Sequence, residues 1–418
     1  MQKSTFLGFP RWQITLAVVF ISQVLTAVGF SMVFPFLPLY VEELGSTTGL
    51  SVEWMAGLVI AVQGFTMMIA SPLWGAVADR YGRKLMVLRA TFGGTIIMGL
   101  MGVVTSGEQL IFLRGVQGIV TGTVAANNAL VASAVPRERI GFAMGTLQVS
   151  LWGGVALGPL IGGVLADTFG FAMPFFITAG ALFLSGILVW IGVDEEFEPQ
   201  STKDNVDRPS MLQQWKHVLS ANGVAIVYWM RFLSGVGRAM IIPIAPLFVV
   251  SLLNPAMAGQ SIFAGAVMSV SSAIATLSGA YLGRLGDRIG HRSILMWSAI
   301  VVVIFYIPQP FVTNVWQLLI LQGLAGLAMG GIISAPSALL AQYTEQGEEG
   351  AVYGLDNSIV AGARAVAPLM GAGIAMFIGF RGTFAATAVL FGIVWLTATL
   401  FLPKAKIKRS LPVIATGD

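Results

Sequence analysis

Apolar runs of about 20 residues or more recur about a dozen times along this chain, at 13–40, 54–77, 85–104, 108–134, 140–166, 171–193, 220–251, 261–283, 293–311, 314–342, 350–378 and 382–402. Each is long enough to cross about 30 Å of hydrocarbon as a helix, and little chain remains between them for a soluble domain. The longest polar stretch, DEEFEPQSTKDNVDRPSMLQQWKH at 194–217, falls between the sixth and seventh runs. This predicts an N-terminal six-helix half over 1–193 and a cytoplasmic linker over 194–219 with a short surface helix near 211–219. A C-terminal six-helix half follows over 220–403, and a cytoplasmic tail over 404–418.

Two runs carry prolines near one end. GFSMVFPFLPLYVEELG at 29–45 holds Pro35 and Pro38, and GRAMIIPIAPLFVVSLL at 237–253 holds Pro243 and Pro246 at matching positions. Proline lacks the amide that a helix interior needs, so each pair predicts a bend. Further landmarks recur at the same offset of 208 residues, from Pro35 to Pro243. GAVADRYGRK at 75–84 becomes GRLGDRIGHR at 283–292, and LRGVQGIVTG at 113–122 becomes LQGLAGLAMG at 321–330. Such a repeat predicts two parallel six-helix halves related by an axis along the membrane normal, with a central cavity between them.

Composition agrees with the pattern: 56% of the 418 residues are hydrophobic, 10% are charged and 50 are glycine. The absence of cysteine excludes disulfides and thiolate metal ligands. The net charge of +4 calls for no nucleic-acid partner, because the basic residues sit in short loops rather than in a stripe. With the N-terminus inside and twelve crossings, Arg381 alone of the 23 Lys and Arg falls outside, and Arg114, Arg231, Arg238 and Arg364 fall within apolar runs. All the others fall inside, which predicts a multi-pass protein of the inner or plasma membrane with both termini cytoplasmic. Lys3 and Arg11 precede a run too long for a signal-peptide core, so the first helix is expected to be retained.

The loop GAVADRYGRK, its second copy, the arginine of the fourth run and GGVALGPLIGG at 153–163 together resemble the major facilitator superfamily, and more narrowly its twelve-helix drug:proton antiporters. The resemblance covers essentially the whole chain. It implies an all-α membrane protein of two pseudo-symmetric six-helix halves, with a monomer as its usual assembly. It also implies a conformational gate at Gly75, Asp79, Arg80, Gly82, Arg83 and Lys84, echoed by Gly283, Asp287, Arg288 and Gly290. Asp79 is then expected to contact the N-terminal end of helix eleven. Arg83 usually meets an acid that this chain replaces with Ser133, leaving Glu138 as the nearest substitute. Arg114 is implied in proton transfer, with Gln322 its uncharged counterpart. Gly154, Gly158, Pro159, Gly162 and Gly163 match the antiporter motif.

Gly118 and Gly122 follow Arg114 at helical spacing and are expected to form a bare packing stripe. Apart from Glu108, which opens the run 108–134, Asp356 is the one acid within any apolar run. An embedded ionisable group is expensive and points to function, so Asp356 is the expected proton carrier, with Arg114 its modulator. Arg231 and Arg238 share a face at seven-residue spacing and are expected in the cavity with Gln63, Gln148, Trp152 and Tyr353. Arg364 either lines that cavity or satisfies carbonyls freed by Pro368. The expected function is proton-coupled export of amphipathic drugs or metabolites by alternating access. The alternatives are an organic-anion or phosphate-ester exchanger with Arg231 and Arg238 as the clamp, and a lipid translocator. Partners are then a small-molecule substrate, protons and the lipid bilayer, with no cofactor. Only two histidines, His217 and His291, occur, and no embedded acid cluster exists to bind a metal, so an enzyme is not expected.

Overall fold

A computed structural model describes residues 5–6, 9–136, 139–195, 211–221, 223–253, 259–344 and 349–403. Apart from a two-residue pairing of Thr5–Phe6 with Phe9–Pro10, its regular structure is helical. The first half holds α1 (Arg11–Met32), α2 (Leu37–Leu44), α3 (Val52–Tyr81), α4 (Arg83–Met101), α5 (Gly107–Val120), α6 (Thr123–Ala134), α7 (Ile140–Phe169) and α8 (Ala172–Gly192). A short helix, α9 (Met211–Ser220), follows in the connector. The second half holds α10 (Val224–Ala239), α11 (Ala245–Leu252), α12 (Gln260–Ile289), α13 (His291–Tyr306), α14 (Val315–Tyr343), α15 (Glu349–Ile378) and α16 (Phe380–Leu400).

Ten of these helices are long and apolar enough to cross a membrane. Two further crossings are composite, one from α5 and α6 and one from α10 and α11. The proline-bearing runs break where the sequence predicts. Helix α1 stops at Met32 and α2 restarts at Leu37 with Pro38 in its first turn, while α10 stops at Ala239 and α11 restarts with Pro246 in its first turn. A proline in a first turn removes an amide that has no helical partner there, so the restart is favourable. The break between α5 and α6 corrects the expected single helix over 108–134. Gly122 takes φ +145°, a conformation that side-chain-bearing residues rarely adopt, and so it ends the helix instead of extending a packing stripe. Gly118 does pack closely, against the Gln63 carbonyl and the Thr66 side chain of α3.

The two halves meet through α3 with α15 and α7 with α12. Each of these four helices has 30 residues, and each is followed by a glycine of positive φ: Gly82, Gly170, Gly290 and Gly379. At about 1.5 Å per residue they exceed the hydrocarbon thickness. Among the described residues, the close approaches between halves lie toward the face away from the described chain ends. There Gly57 would place a Cβ 2.7 Å from that of Ala372, Gly163 abuts the Ser261 carbonyl, and Gly265 abuts the Pro159 carbonyl. Leu39 and Leu247, equivalent in the repeat, share one buried cluster with Ala56 at that face. Toward the opposite face no described glycine approaches the other half, and Gly75, Gly145, Gly283 and Gly354 have no neighbour within 4 Å. The close glycine contacts between the halves thus concentrate at the face away from the chain ends, the closed face, and are not found at the other, the open face.

Candidate functional site

Arg231 of α10 and Asp356 of α15 form a two-pronged ion pair. Nε donates to Oδ1 and Nη2 to Oδ2, each at 3.0 Å, and Nη1 donates to the Ile333 carbonyl of α14 at 2.9 Å. Helical spacing prepares this geometry. Tyr228 sits three residues before Arg231, Val352 sits four before Asp356, and the Tyr228 hydroxyl donates to the Val352 carbonyl at 2.9 Å. Two successive rungs therefore tie α10 to α15. The side chains of Arg231 and Asp356 are 17% and 8% exposed, so neither charge has water enough to stand alone. The partner of Asp356 is thus Arg231, while Arg114, expected as its modulator, lies in the other half.

Arg238 follows two turns later on α10, half-buried, within electrostatic reach of Arg364, Arg231 and Tyr306. Arg364 is exposed, and its carbonyl lies beside Gly64 of α3, which places it on the seam between the halves. Among the described residues neither Arg238 nor Arg364 makes a hydrogen bond, so the alternative in which Arg364 satisfies carbonyls freed by Pro368 is not the arrangement found. Tyr306 is buried, and the Gln322 amide donates to Gln309 Oε1 at 3.1 Å.

Arg114 is 2% exposed in the other half. Nε donates to the Val59 carbonyl of α3 at 3.0 Å and Nη1 to Gln117 Oε1 at 2.8 Å, while Nη2 is buried without a partner among the described residues. A guanidinium held by neutral acceptors alone keeps a large uncompensated charge in a dry place.

The gate residues lie where α3 gives way to α4 and α12 to α13. Gly82 and Gly290 adopt φ near +95° at the two turns, at +97° and +93°. Arg80 rests on the Tyr81 ring at 5.4 Å, and the backbone amides of Arg83 and Lys84 donate to Glu195 at 2.9 and 2.8 Å. Lys84 Nζ reaches the Trp190 carbonyl. Glu195 thus caps α4, a role no sequence signal announced, because its partner amides are 112 and 111 positions away. Asp287 pairs with His291 at 3.1 Å within its own turn, beside Arg288 and below Gly283. The side chains of Asp79 and Tyr353 and the whole of Glu138 lie outside the described residues, so the contacts expected of them are not part of the picture.

Of the antiporter motif, Gly154, Gly158 and Gly162 receive α1 at Ala27, Ser31 and Met32, and Ser31 Oγ donates to the Gly154 carbonyl at 3.0 Å. Pro159 and Gly163 face the other half, and the Leu160 amide donates to Ser269 Oγ of α12 at 2.9 Å. Gln63 and Trp152 are half-buried and Gln148 is exposed. Among the described residues their side chains make no hydrogen bond, and Gln148 and Trp152 flank Gly145 and Gly153, which look onto open space.

Two stretches, 19–232 and 227–416, match the family model of the Major Facilitator Superfamily. The chain is 37% identical over 387 residues to the multidrug resistance protein MdtG of Enterobacter lignolyticus, with 92% of each chain covered. It is also 37% identical to MdtG of Salmonella typhimurium, covering 92% of this chain and 95% of the relative. Among solved structures, a bacterial homologue of the human lysosomal transporter Spinster shares the fold at 14% identity, with a TM-score of 0.76 over 94% of this chain and 98% of the other.

Proposed function

The chain belongs to the Major Facilitator Superfamily, and from that membership we propose a proton-coupled exporter of amphipathic drugs or metabolites, acting as a monomer in the cell membrane. Membership makes it a small-molecule transporter and not an enzyme. Export of drugs is supported by its likeness to relatives named for multidrug resistance. Cytoplasmic termini are supported by the Lys and Arg bias, and on that orientation the close glycine contacts between the halves lie on the outer side, which leaves the cytoplasmic side for entry of a substrate for export.

The observation that carries the coupling is the Arg231–Asp356 pair. Protonation of Asp356 removes its charge, so the ion pair and the tie it makes between α10 and α15 weaken together. Freed Arg231 then leaves a cation beside Arg238 and Arg364, and that unbalanced charge favours the state in which the proton is given up. Gln63, Gln148, Trp152, Arg238 and Tyr353 are the proposed substrate contacts, and Arg114 positions α3 against α5 from within the first half. An anion exchanger clamping its substrate between Arg231 and Arg238 fits less well, because all three Arg231 nitrogens already have protein acceptors.

The test is efflux of amphipathic dyes from proteoliposomes under imposed pH gradients of both signs. Asp356→Asn is expected to abolish gradient-driven efflux while retaining dye exchange at equal pH. Unchanged coupling in that variant removes Asp356 as the proton carrier.

A further inference from the structure

Helices α3, α7 and α12 end alike, and α15, their counterpart in the repeat, departs. Two residues before each last residue stand Asp79, Asp167, Asp287 and Met376, and four residues before those stand Gly75, Gly163, Gly283 and Ala372. The first and third ends lie at the open face, the second and fourth at the closed face. The segment LADTFG at 165–170 therefore repeats VADRYG at 77–82 on the opposite side of the bundle.

Asp167 is engaged across the seam. Its Oδ1 accepts from the Ser261 amide at 3.1 Å and its Oδ2 from the Ile262 amide at 2.8 Å, both in the first turn of α12. Helix α12 begins after Gly259, which has no side chain to cap it. Its orphan amides and the positive end of its dipole are served by a carboxylate from the other half. Gly163, one turn earlier on α7, lets the Ser261 carbonyl approach so closely that a Cβ would collide with it, which brings Asp167 over the helix end. At the equivalent place between α15 and α3, Met376 Sδ accepts only from Trp54 Nε1, at 3.0 Å. Asp287, at the open face, bonds within its own turn and not to α7.

We propose that Asp167 is the latch of the closed face: a charged cap that holds α12 against α7 in the present state and must release α12 when the halves rock to open that face. With a sulfur at position 376, Asp167 is the one charged latch at this face among the described residues, so its hold is concentrated on a single side of the seam. A lost charge-assisted cap is expected to raise the ratio of molecules open at that face roughly tenfold.

The chain has no cysteine, so labels can be placed without background. Spin labels at Val103→Cys and Phe311→Cys, exposed positions near that face in opposite halves, report its opening as a distance distribution. Asp167→Ala is expected to increase the long-distance population about tenfold, and Asp167→Asn, which keeps one acceptor, by less. Thr168→Ala, whose hydroxyl bonds only to Val164 of its own helix, is expected to leave the distribution unchanged. Unchanged distances in both Asp167 variants overturn the latch, as does an equal shift in Thr168→Ala. The latch rests on the alternating-access reading, but the distances are read without substrate or proton gradient. Failure of the Asp356 coupling test therefore leaves this result to stand or fall separately.

Discussion

Arg231 and Asp356 hold each other through two parallel N–H···O bonds of 3.0 Å across the contact between α10 and α15. The pair sits where water is scarce, so its energetics are those of a matched set. Each partner is tolerable because the other is present.

Removing one partner is therefore expected to be worse than removing both. Asp356→Ala or Arg231→Met alone should lower stability by about 3–5 kcal/mol, because a buried charge is left unpaired. The double variant should recover most of that loss. Thermal unfolding of the four proteins in a double-mutant cycle measures the coupling, and additive single effects would contradict the pairing.

Arg238 and Arg364 are expected to behave in the opposite way. Neither makes a hydrogen bond among the described residues, and they repel each other. Arg238→Gln or Arg364→Gln should leave melting temperature unchanged or raised, while altering which dyes are transported. A large loss of stability in either would reveal an acceptor that these contacts do not include.

Neighbouring glycines on α7 should separate folding from conformational change. Gly162 lies against the Met32 backbone within one half, whereas Gly163 lies against Ser261 of the other. Gly162→Ala should destabilise every state, by about 1–3 kcal/mol of overpacking. Gly163→Ala should chiefly disfavour the present closed face, seen as more molecules open there at similar thermal stability.

Arg114 tests how a buried cation is tolerated without an acid. Arg114→Met leaves the Val59 carbonyl and Gln117 Oε1 without their donor, each worth about 1–3 kcal/mol when buried. It also removes an uncompensated charge. We expect a net change in unfolding smaller than either term, with efflux reduced because α3 and α5 lose their fixed register. Wild-type efflux would separate Arg114 from transport.

Glu195 offers a smaller test. Its carboxylate serves the first amides of α4 at the membrane edge. Glu195→Gln should cost about 0.3–1 kcal/mol, and added salt should shrink the difference.

The crossings, the two halves and the matched proline breaks were legible in the sequence because each is a local property. Apolar length decides what can span hydrocarbon, and a missing amide decides where a helix restarts. The break at Gly122 was not legible, since glycine is equally common in unbroken membrane helices and only the packing around Gly118 and α3 chose the turn. The partner of Asp356 was not legible either. Four embedded arginines were candidates, and the choice of Arg231 depends on which faces of α10 and α15 the glycine-rich contacts turn toward each other. The same holds for Asp167 and Glu195, which cap helices 94 and 112 positions distant. Sequence by itself determined which segments cross and where they bend. Tertiary structure alone decided which charges meet, because a buried charge is stabilised by groups that only the packing of distant segments brings close to it.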